Sequence, residues 1–349
     1  MPIGYWWTVA FTSWGVACAL TRWPRLGSFC AIPALVVSEL PFIVGYLLIG
    51  STVLALVEGD LDSPGGAAGA AVALFALAGL AVVVRRAMRA HAALRNAGRP
   101  ERRWGRILGA PFLPGRLDVV RVRGLAYGGG PRRTLDVYHR RDRPTGAPIL
   151  LHFHGGGFYS GNKAREARPL IRHLTSRRGF VCVSANYRLQ PHVTLVDQVA
   201  DVRSAIAWVR AHAAEYGAEP GRLFVTGSSA GANLAIRAVC EGETGIAGLI
   251  CRYGYYGGLA PGGDMPPMLV VHGEKDLIHP SAVRAFAERV RAVSSHPVLY
   301  AELPGAHHDF DMFESIRSAA VSQAVEQFTA RISALPNVNL QDRQPAPES

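Results

Sequence analysis

Residues 225–234, V-T-G-S-S-A-G-A-N-L, constrain the fold more than any other part of the chain. Gly227-Ser228-Ser229-Ala230-Gly231 fits the pattern G-x-S-x-G, in which a strand turns sharply into a helix and the central serine sits on the turn. Residues 222–226 (R-L-F-V-T) are a short β-branched and aromatic run that reads as a buried strand. Residues 232–239 are apolar enough for a helix packed on a sheet. Such a turn strains the backbone at Ser229, and Gly227 and Gly231 leave room for it. Glycine, serine and alanine are common, so the pentapeptide alone also fits an ordinary strand-to-helix turn. Its weight comes from distant parts of the chain.

Upstream, residues 149–153 (I-L-L-H-F) form a hydrophobic strand followed by His154-Gly155-Gly156-Gly157. Successive glycines let the backbone turn with its N–H groups converging, which is how an anion hole for a tetrahedral intermediate is made. Downstream, residues 268–272 are an apolar strand ending at Gly273-Glu274-Lys275-Asp276, and Leu303-Pro304-Gly305-Ala306-His307-His308-Asp309-Phe310 follows later. Serine, acid, histidine is the α/β-hydrolase order and differs from both common serine-protease orders. Asp276 and Glu274 compete for the acid, and His308 and His307 for the base.

These motifs, with Asn186-Tyr187-Arg188-Leu189, give residues 117–334 a resemblance to the hormone-sensitive-lipase-like carboxylesterases, α/β hydrolases of the HGGG type. The resemblance implies Ser229 as nucleophile and Asp276 as the acid. It implies His308 as the base, because the family's H-x-F falls on His308-Asp309-Phe310. The backbone N–H groups of Gly155, Gly156 and Ala230 are implied as the oxyanion hole, and His154 as a brace for its loop. No metal or cofactor is implied. Gln190 and His192 depart from the alanine-proline-glutamate that usually follows this leucine. The interval from Ser229 to Asp276 is shorter than the family's, so a long lid-forming connection is missing. The expectation is that membrane-proximal residues supply part of the cover, with Tyr253, Tyr255 and Tyr256 as the other candidates.

The fold class that follows is α/β: an α/β-hydrolase with a mostly parallel central sheet, preceded by an all-helical transmembrane region. A hairpin of residues 117–122 and 134–139 opens the body, and strands then alternate with helices to a closing helix over 313–332. Asp197 and Asp201 lie four apart on one helical face, but no histidine or cysteine nearby completes a metal site, so pairing with Arg188 or solvent is expected.

Charge separates the chain into two parts. The whole carries a net charge of +11, yet the first 84 residues hold only Arg22 and Arg25 against Glu39, Glu58, Asp60 and Asp62. Residues 5–20, 28–57 and 66–84 are hydrophobic stretches of membrane-spanning character, given that a span takes about 20 residues. No basic region precedes Tyr5, which argues against a signal peptide. Arginines gather in the first loop and, from Arg85 onward, after the third stretch. The positive-inside rule therefore predicts three spans in an integral membrane protein, with the N-terminus outside and the catalytic domain cytoplasmic. Glu39, two residues before Pro41, predicts an interfacial position or a kink, with a functional intramembrane carboxylate as the alternative. The expected domains are transmembrane helices over 1–86, a basic amphipathic connector over 87–116, the catalytic domain over 117–334 and a disordered tail over 335–349.

Function classes narrow accordingly. Nucleic-acid binding is excluded by the lack of a base-reading helix or zinc-finger spacing. The five cysteines lack C-x-x-C spacing and read as reduced, buried thiols. The expected function is that of a membrane-anchored serine carboxylesterase or lipase acting on lipophilic esters, with membrane lipids as partners and a homo-oligomer compatible with the sequence. The alternatives are an acyltransferase using the same triad, and a tethered scaffold with a dead site. No triad member is missing, which disfavours the scaffold.

Overall fold

A computed structural model describes residues 3–22, 27–94, 102, 104–109, 117–262 and 265–334. Four helices form the head: α1 (Ile3–Leu20), α2 (Gly27–Glu39), α3 (Pro41–Val57) and α4 (Pro64–Met88). Proline decides where α2 ends. Pro41 has no N–H to continue a helix, disfavours helical geometry at Leu40, and fits well as the first residue of α3. The chain bends there by 90°. The stretch 28–57 is therefore two helices set at a right angle, with the break at the Glu39–Pro41 position where a kink is expected. Among the described residues, one helix (Pro64–Ala93) is long and apolar enough to cross a membrane, and α2 with α3 qualifies only as a bent pair. Ser63 caps α4 by accepting a hydrogen bond from the Gly66 N–H at 3.0 Å.

The head is apolar inside and out. Val9, Leu48, Ala55, Ala73 and Ala76 pack together at one level, and Val16, Val37, Leu80 and Val83 at another. Trp7, Phe11, Phe29, Leu47, Leu54 and Phe75 point outward and are exposed. Helices that are hydrophobic all round belong in a core or in lipid. Gly69 on α4 faces the rings of Tyr5 and Trp6, so the absent side chain lets α1 approach.

Two short helices, α5 (Ala90–Ala93) and α6 (Trp104–Gly109), lie in the basic connector. Ile107 packs with Ala87 of α4 and Ile316 of the body, fastening the connector over the seam. The rest of the connector and the tail over 335–349 lie outside the described residues.

The body is an eight-stranded sheet in the order β1-β2-β4-β3-β5-β6-β7-β8. In chain order its elements are β1 (Val119–Ala126), β2 (Thr134–Arg140), β3 (Ala147–Phe153), α7 (Arg168–Arg178), β4 (Val181–Ala185), α8 (Leu195–His212), β5 (Ala218–Ser228), α9 (Ala230–Cys240), β6 (Gly248–Arg252), β7 (Met268–Gly273), α10 (Pro280–Val293), β8 (Val298–Leu303) and α11 (Ile316–Ala334). Among the described strands only β2 runs against the rest, pairing antiparallel with both β1 and β4; every pairing from β4 to β8 is parallel. The period-two geometry of strands sends Leu223 and Val225 to the face covered by α8, α9 and α10. It sends Phe224 to the face covered by α7 and α11. Both faces are dry, which is why these strands read as continuous apolar runs. All five cysteines are free thiols, and only Cys240 is not buried.

Candidate active site

The site lies where parallel strands end, the usual place for ligands in such sheets. Strand β5 delivers Ser229, whose φ of 50° and ψ of −116° are strained for a residue with a side chain. The strain is held from several sides. The Ser229 N–H donates to the Arg252 carbonyl at 3.0 Å. A Cβ on Gly231 would lie 2.5 Å from the His154 carbonyl oxygen, so only glycine lets α9 sit against the end of β3.

Two loops bring the other members. Asp276 follows β7 and is fully buried. The Ile278 N–H donates to its Oδ1 at 2.8 Å, fixing the carboxylate. His308 follows β8, on the loop that begins at Pro304. Its Nδ1–H donates to Asp276 Oδ1 and Oδ2 at 2.9 and 3.0 Å, and its Nε2 stands 2.9 Å from Ser229 Oγ. In this tautomer Nε2 carries a lone pair directed at the Ser229 hydroxyl. Burial alone would lower the imidazole pKa, but the hydrogen bond and charge of Asp276, with Asp309 and Glu166 beyond, outweigh it and raise the pKa. The ring edge of Tyr253 packs on His308 with centroids 4.9 Å apart.

The competing residues lie elsewhere. His307 donates from Nε2 to the Ala19 carbonyl of α1 at 3.1 Å, and burial lowers its pKa. Glu274 accepts from the Gly305 N–H at 2.7 Å, tying the segment after β7 to the loop that carries His308. Asp201 is buried and clasps Arg188 through both carboxylate oxygens, while Asp197 caps α8 with Thr194. The two aspartates thus serve separate structural tasks.

The glycine loop differs from expectation at one position. The Gly155 N–H donates to Glu166 Oε2 at 2.7 Å, so Gly155 has no N–H to offer an oxyanion as the loop sits. This corrects its inclusion among the oxyanion donors. The N–H groups of Gly156 and Ala230 have no acceptor among the described residues. Gly156 has a φ of 118°, where a side chain would be strained. His154 donates from Nδ1 to the Gly155 carbonyl at 2.7 Å and stacks on Tyr187 at 4.4 Å. Burial pushes its pKa down to about 4, so it braces the loop as a neutral ring.

Glu166 escaped the sequence reading because nothing in A-R-E-A-R-P marks it. It is buried beneath the loop, and burial, reinforced by the charge of Asp309, raises its pKa. Arg252 was also missed. It is completely buried, donates to His152 Nδ1 at 3.1 Å and pairs with Asp311, which also accepts from the Tyr253 hydroxyl at 2.6 Å. Through its backbone carbonyl Arg252 also holds the Ser229 N–H at 3.0 Å.

The lid question has a partial answer. Tyr253 and Tyr256 are buried, Tyr256 stacking on Phe286 at 4.6 Å, and only Tyr255 is exposed. From the head, Arg22 donates through Nη2 to the Asp276 carbonyl at 2.7 Å. Glu39 is buried, accepting from Ser315 Oγ at 2.6 Å and from Arg317 Nη1 at 3.0 Å. It is a tie to the body at the kink.

A family model described as BD-FAE matches residues 135–250. The probable carboxylic ester hydrolase LipM of Mycobacterium tuberculosis (strain ATCC 25618 / H37Rv) is 32% identical over 86% of this chain and 86% of its own length, a span that reaches beyond the sheet domain. Esterase LipQ of the same organism is 33% identical over 64% of this chain and 65% of its own length. Among solved structures, the butyrate-bound esterase Est2 of Thermogutta terrifontis superposes with a TM-score of 0.52 at 23% identity, over 62% of this chain and 95% of that one. At that identity the likeness speaks for the fold alone.

Proposed function

The chain belongs to the α/β-hydrolase esterase/lipase superfamily and is a serine ester hydrolase; from that premise we propose that it works through an acyl-enzyme on Ser229, acts on lipophilic esters and holds its helical head in a membrane. The observation that carries the reading is the unbroken hydrogen-bond path from Asp276 through His308 to Ser229. His308 takes the hydroxyl proton as Ser229 attacks the ester carbonyl. Asp276 keeps the ring in the required tautomer and stabilises the imidazolium that forms. The oxyanion develops against the N–H groups of Gly156 and Ala230, and His308 passes its proton to the departing alcohol. Water then repeats the steps on the acyl-enzyme and regenerates Ser229. Within the superfamily we assign the chain to the hormone-sensitive-lipase-like branch, on the His154–Gly157 glycine run and His308-Asp309-Phe310.

The head supports the membrane part of the reading. Its outer face is apolar along all four helices. Tyr5 of α1 lies beside Thr52 of α3, and Gly69 of α4 faces it, so these ends of the three helices lie together away from the body. Their other ends, with α2, meet the body through Ala19, Glu39 and Arg86. In this reading α4, the one described helix long and apolar enough by itself, spans the bilayer, the shorter α1 and α3 pack beside it as two further crossings, and α2 lies along its surface. The acidic turn at Asp60–Asp62 and the N-terminus are then outside, and the catalytic domain is cytoplasmic.

The test is hydrolysis of a chain-length series of p-nitrophenyl esters by detergent-solubilised full-length protein beside Ser229→Ala. Turnover that rises with acyl length and vanishes in the variant supports the reading. Full activity in Ser229→Ala would overturn it. Folded protein without turnover on any ester, but active once a lipid alcohol is added, would move the assignment to acyl transfer.

A further inference from the structure

We infer that the helical head is part of the catalytic machinery, holding the loops of Asp276 and His308 in register through Arg22 and the Glu39–Arg317 pair. The inference rests on the roles proposed above for Asp276 and His308.

Arg317, at the start of α11, is almost wholly buried and faces two ways. Its Nη1 donates to Glu39 Oε1 at 3.0 Å and to the Ser38 carbonyl at 2.9 Å, both at the end of α2. Its Nη2 donates to the Pro304 carbonyl at 3.0 Å, at the root of the loop that carries His308. The next residue, Gly305, has a φ of 63°, and a Cβ there would lie 3.0 Å from Arg86 Cδ of α4 and 3.3 Å from Arg317 Nη2. The loop is therefore wedged between an arginine of the head and one bound to the head. His307, adjacent to the base, is tied to Ala19 of α1. On the acid side, Arg22 reaches the Asp276 carbonyl across the same seam.

Four ties from the head, by Ala19 of α1, by Arg22 just after it, by α2 through Arg317 and by Arg86 of α4, thus converge on the two short loops whose relative placement sets the His308–Asp276 hydrogen bonds. A buried cation keeps its geometry only while its partners stay in place, so the guanidinium of Arg317 transmits the position of α2 to Pro304. Displacement by an ångström or less is enough to slow a reaction of this kind by a large factor. Arg22, Glu39 and Arg317 are positioning residues, since none touches the reacting atoms.

The test uses full-length protein in detergent and a short, soluble p-nitrophenyl ester. Arg22→Gln removes one tie from a partly exposed position, and Arg22→Lys retains a donor and charge. Glu39→Gln combined with Arg317→Met removes both buried charges together and leaves no unpaired ion. The expected result for Arg22→Gln and for the double variant is a fall in kcat of about tenfold, with KM little changed. The melting temperature of Arg22→Gln should stay at the wild-type value, and Arg22→Lys should recover most of the lost kcat. A destabilised double variant is assayed well below its melting temperature, where a merely structural role predicts wild-type kcat. Wild-type kcat in both Arg22→Gln and the double variant overturns the inference. Ser229→Ala and His308→Ala run alongside: if they remain active, the proposed triad itself is wrong and this inference falls with it.

Discussion

Gly231→Ala tests the elbow more sharply than removal of the nucleophile, because it adds one methyl group and leaves every reacting group in place. That Cβ would lie 2.5 Å from the His154 carbonyl oxygen and 2.6 Å from the Phe153 carbonyl carbon, and closer still to the Phe153 oxygen. All three atoms are backbone at the end of β3, where no rotamer change can relieve the contact. Either α9 or the start of the glycine loop must shift by a substantial fraction of an ångström. Overpacking of this kind costs roughly 1–3 kcal/mol, which lowers the melting temperature of a domain this size by about 2–12 °C. The two elements pushed apart carry Ser229 with Ala230 on one side and Gly156 on the other. A displacement approaching 1 Å between nucleophile and oxyanion donors slows turnover by about 100-fold. Gly129→Ala, in the β1–β2 turn with open space at its Cβ, is the matched control and should change neither quantity. The assay is steady-state hydrolysis of p-nitrophenyl butyrate below the melting temperature, with thermal unfolding followed in parallel. Wild-type kcat and melting temperature in Gly231→Ala would refute the reasoning, since they would mean that α9 does not rest on the end of β3.

Other outcomes follow from the same geometry. Asp276→Asn should cut kcat by about 10³–10⁴-fold while leaving the fold intact, because it no longer favours the tautomer that accepts the serine proton; circular dichroism beside kinetics separates the two effects. The raised pKa of His308 sets the acid limb of kcat/KM: only the neutral ring is a base, so activity is lost as pH falls through that pKa. The half-maximal point should therefore lie above the ordinary histidine value of 6.5, and a midpoint below it would contradict the balance described. Glu166→Ala strands the Gly155 N–H and should cost about 1–3 kcal/mol of stability, with kcat lowered as the loop loosens; denaturant unfolding and kinetics report both. Asp201→Ala leaves the Arg188 and Arg133 guanidiniums without their shared carboxylate and should destabilise by about 1–3 kcal/mol, less than a fully buried pair because both guanidiniums reach solvent, with kcat little changed in the protein that remains folded.

Most of the body was legible because its signals are local. Runs such as residues 149–153 and 268–272 are continuous apolar strands cut off by glycine turns, and the strands start and stop within a few residues of where that pattern ends. Pro41 likewise carried the break between α2 and α3, but its consequence, two helices at a right angle, depends on what each packs against. The two histidines mark where reading stops. His307 and His308 are chemically identical neighbours, and what separates them is the Ala19 carbonyl for one and Asp276 for the other, contacts 288 and 32 residues away along the chain. Gly155 is a similar case, since its N–H is occupied by Glu166 on a segment with no motif. Glu39 reads as an interfacial or kink residue, but its partner is hidden from local sequence because Arg317 lies near the far end of the chain. Long-range pairing of polar groups leaves no periodicity, so it becomes visible only when the chain is folded.

The central claim, that Ser229 attacks esters with His308 as its base, is tested most directly by trapping the nucleophile. Full-length protein is treated with a lipophilic fluorophosphonate, and the adduct is located by intact-mass measurement and peptide mapping. A single adduct is expected on Ser229, absent from Ser229→Ala and formed far more slowly in His308→Ala. An adduct on another residue, or one that persists in Ser229→Ala, would contradict it.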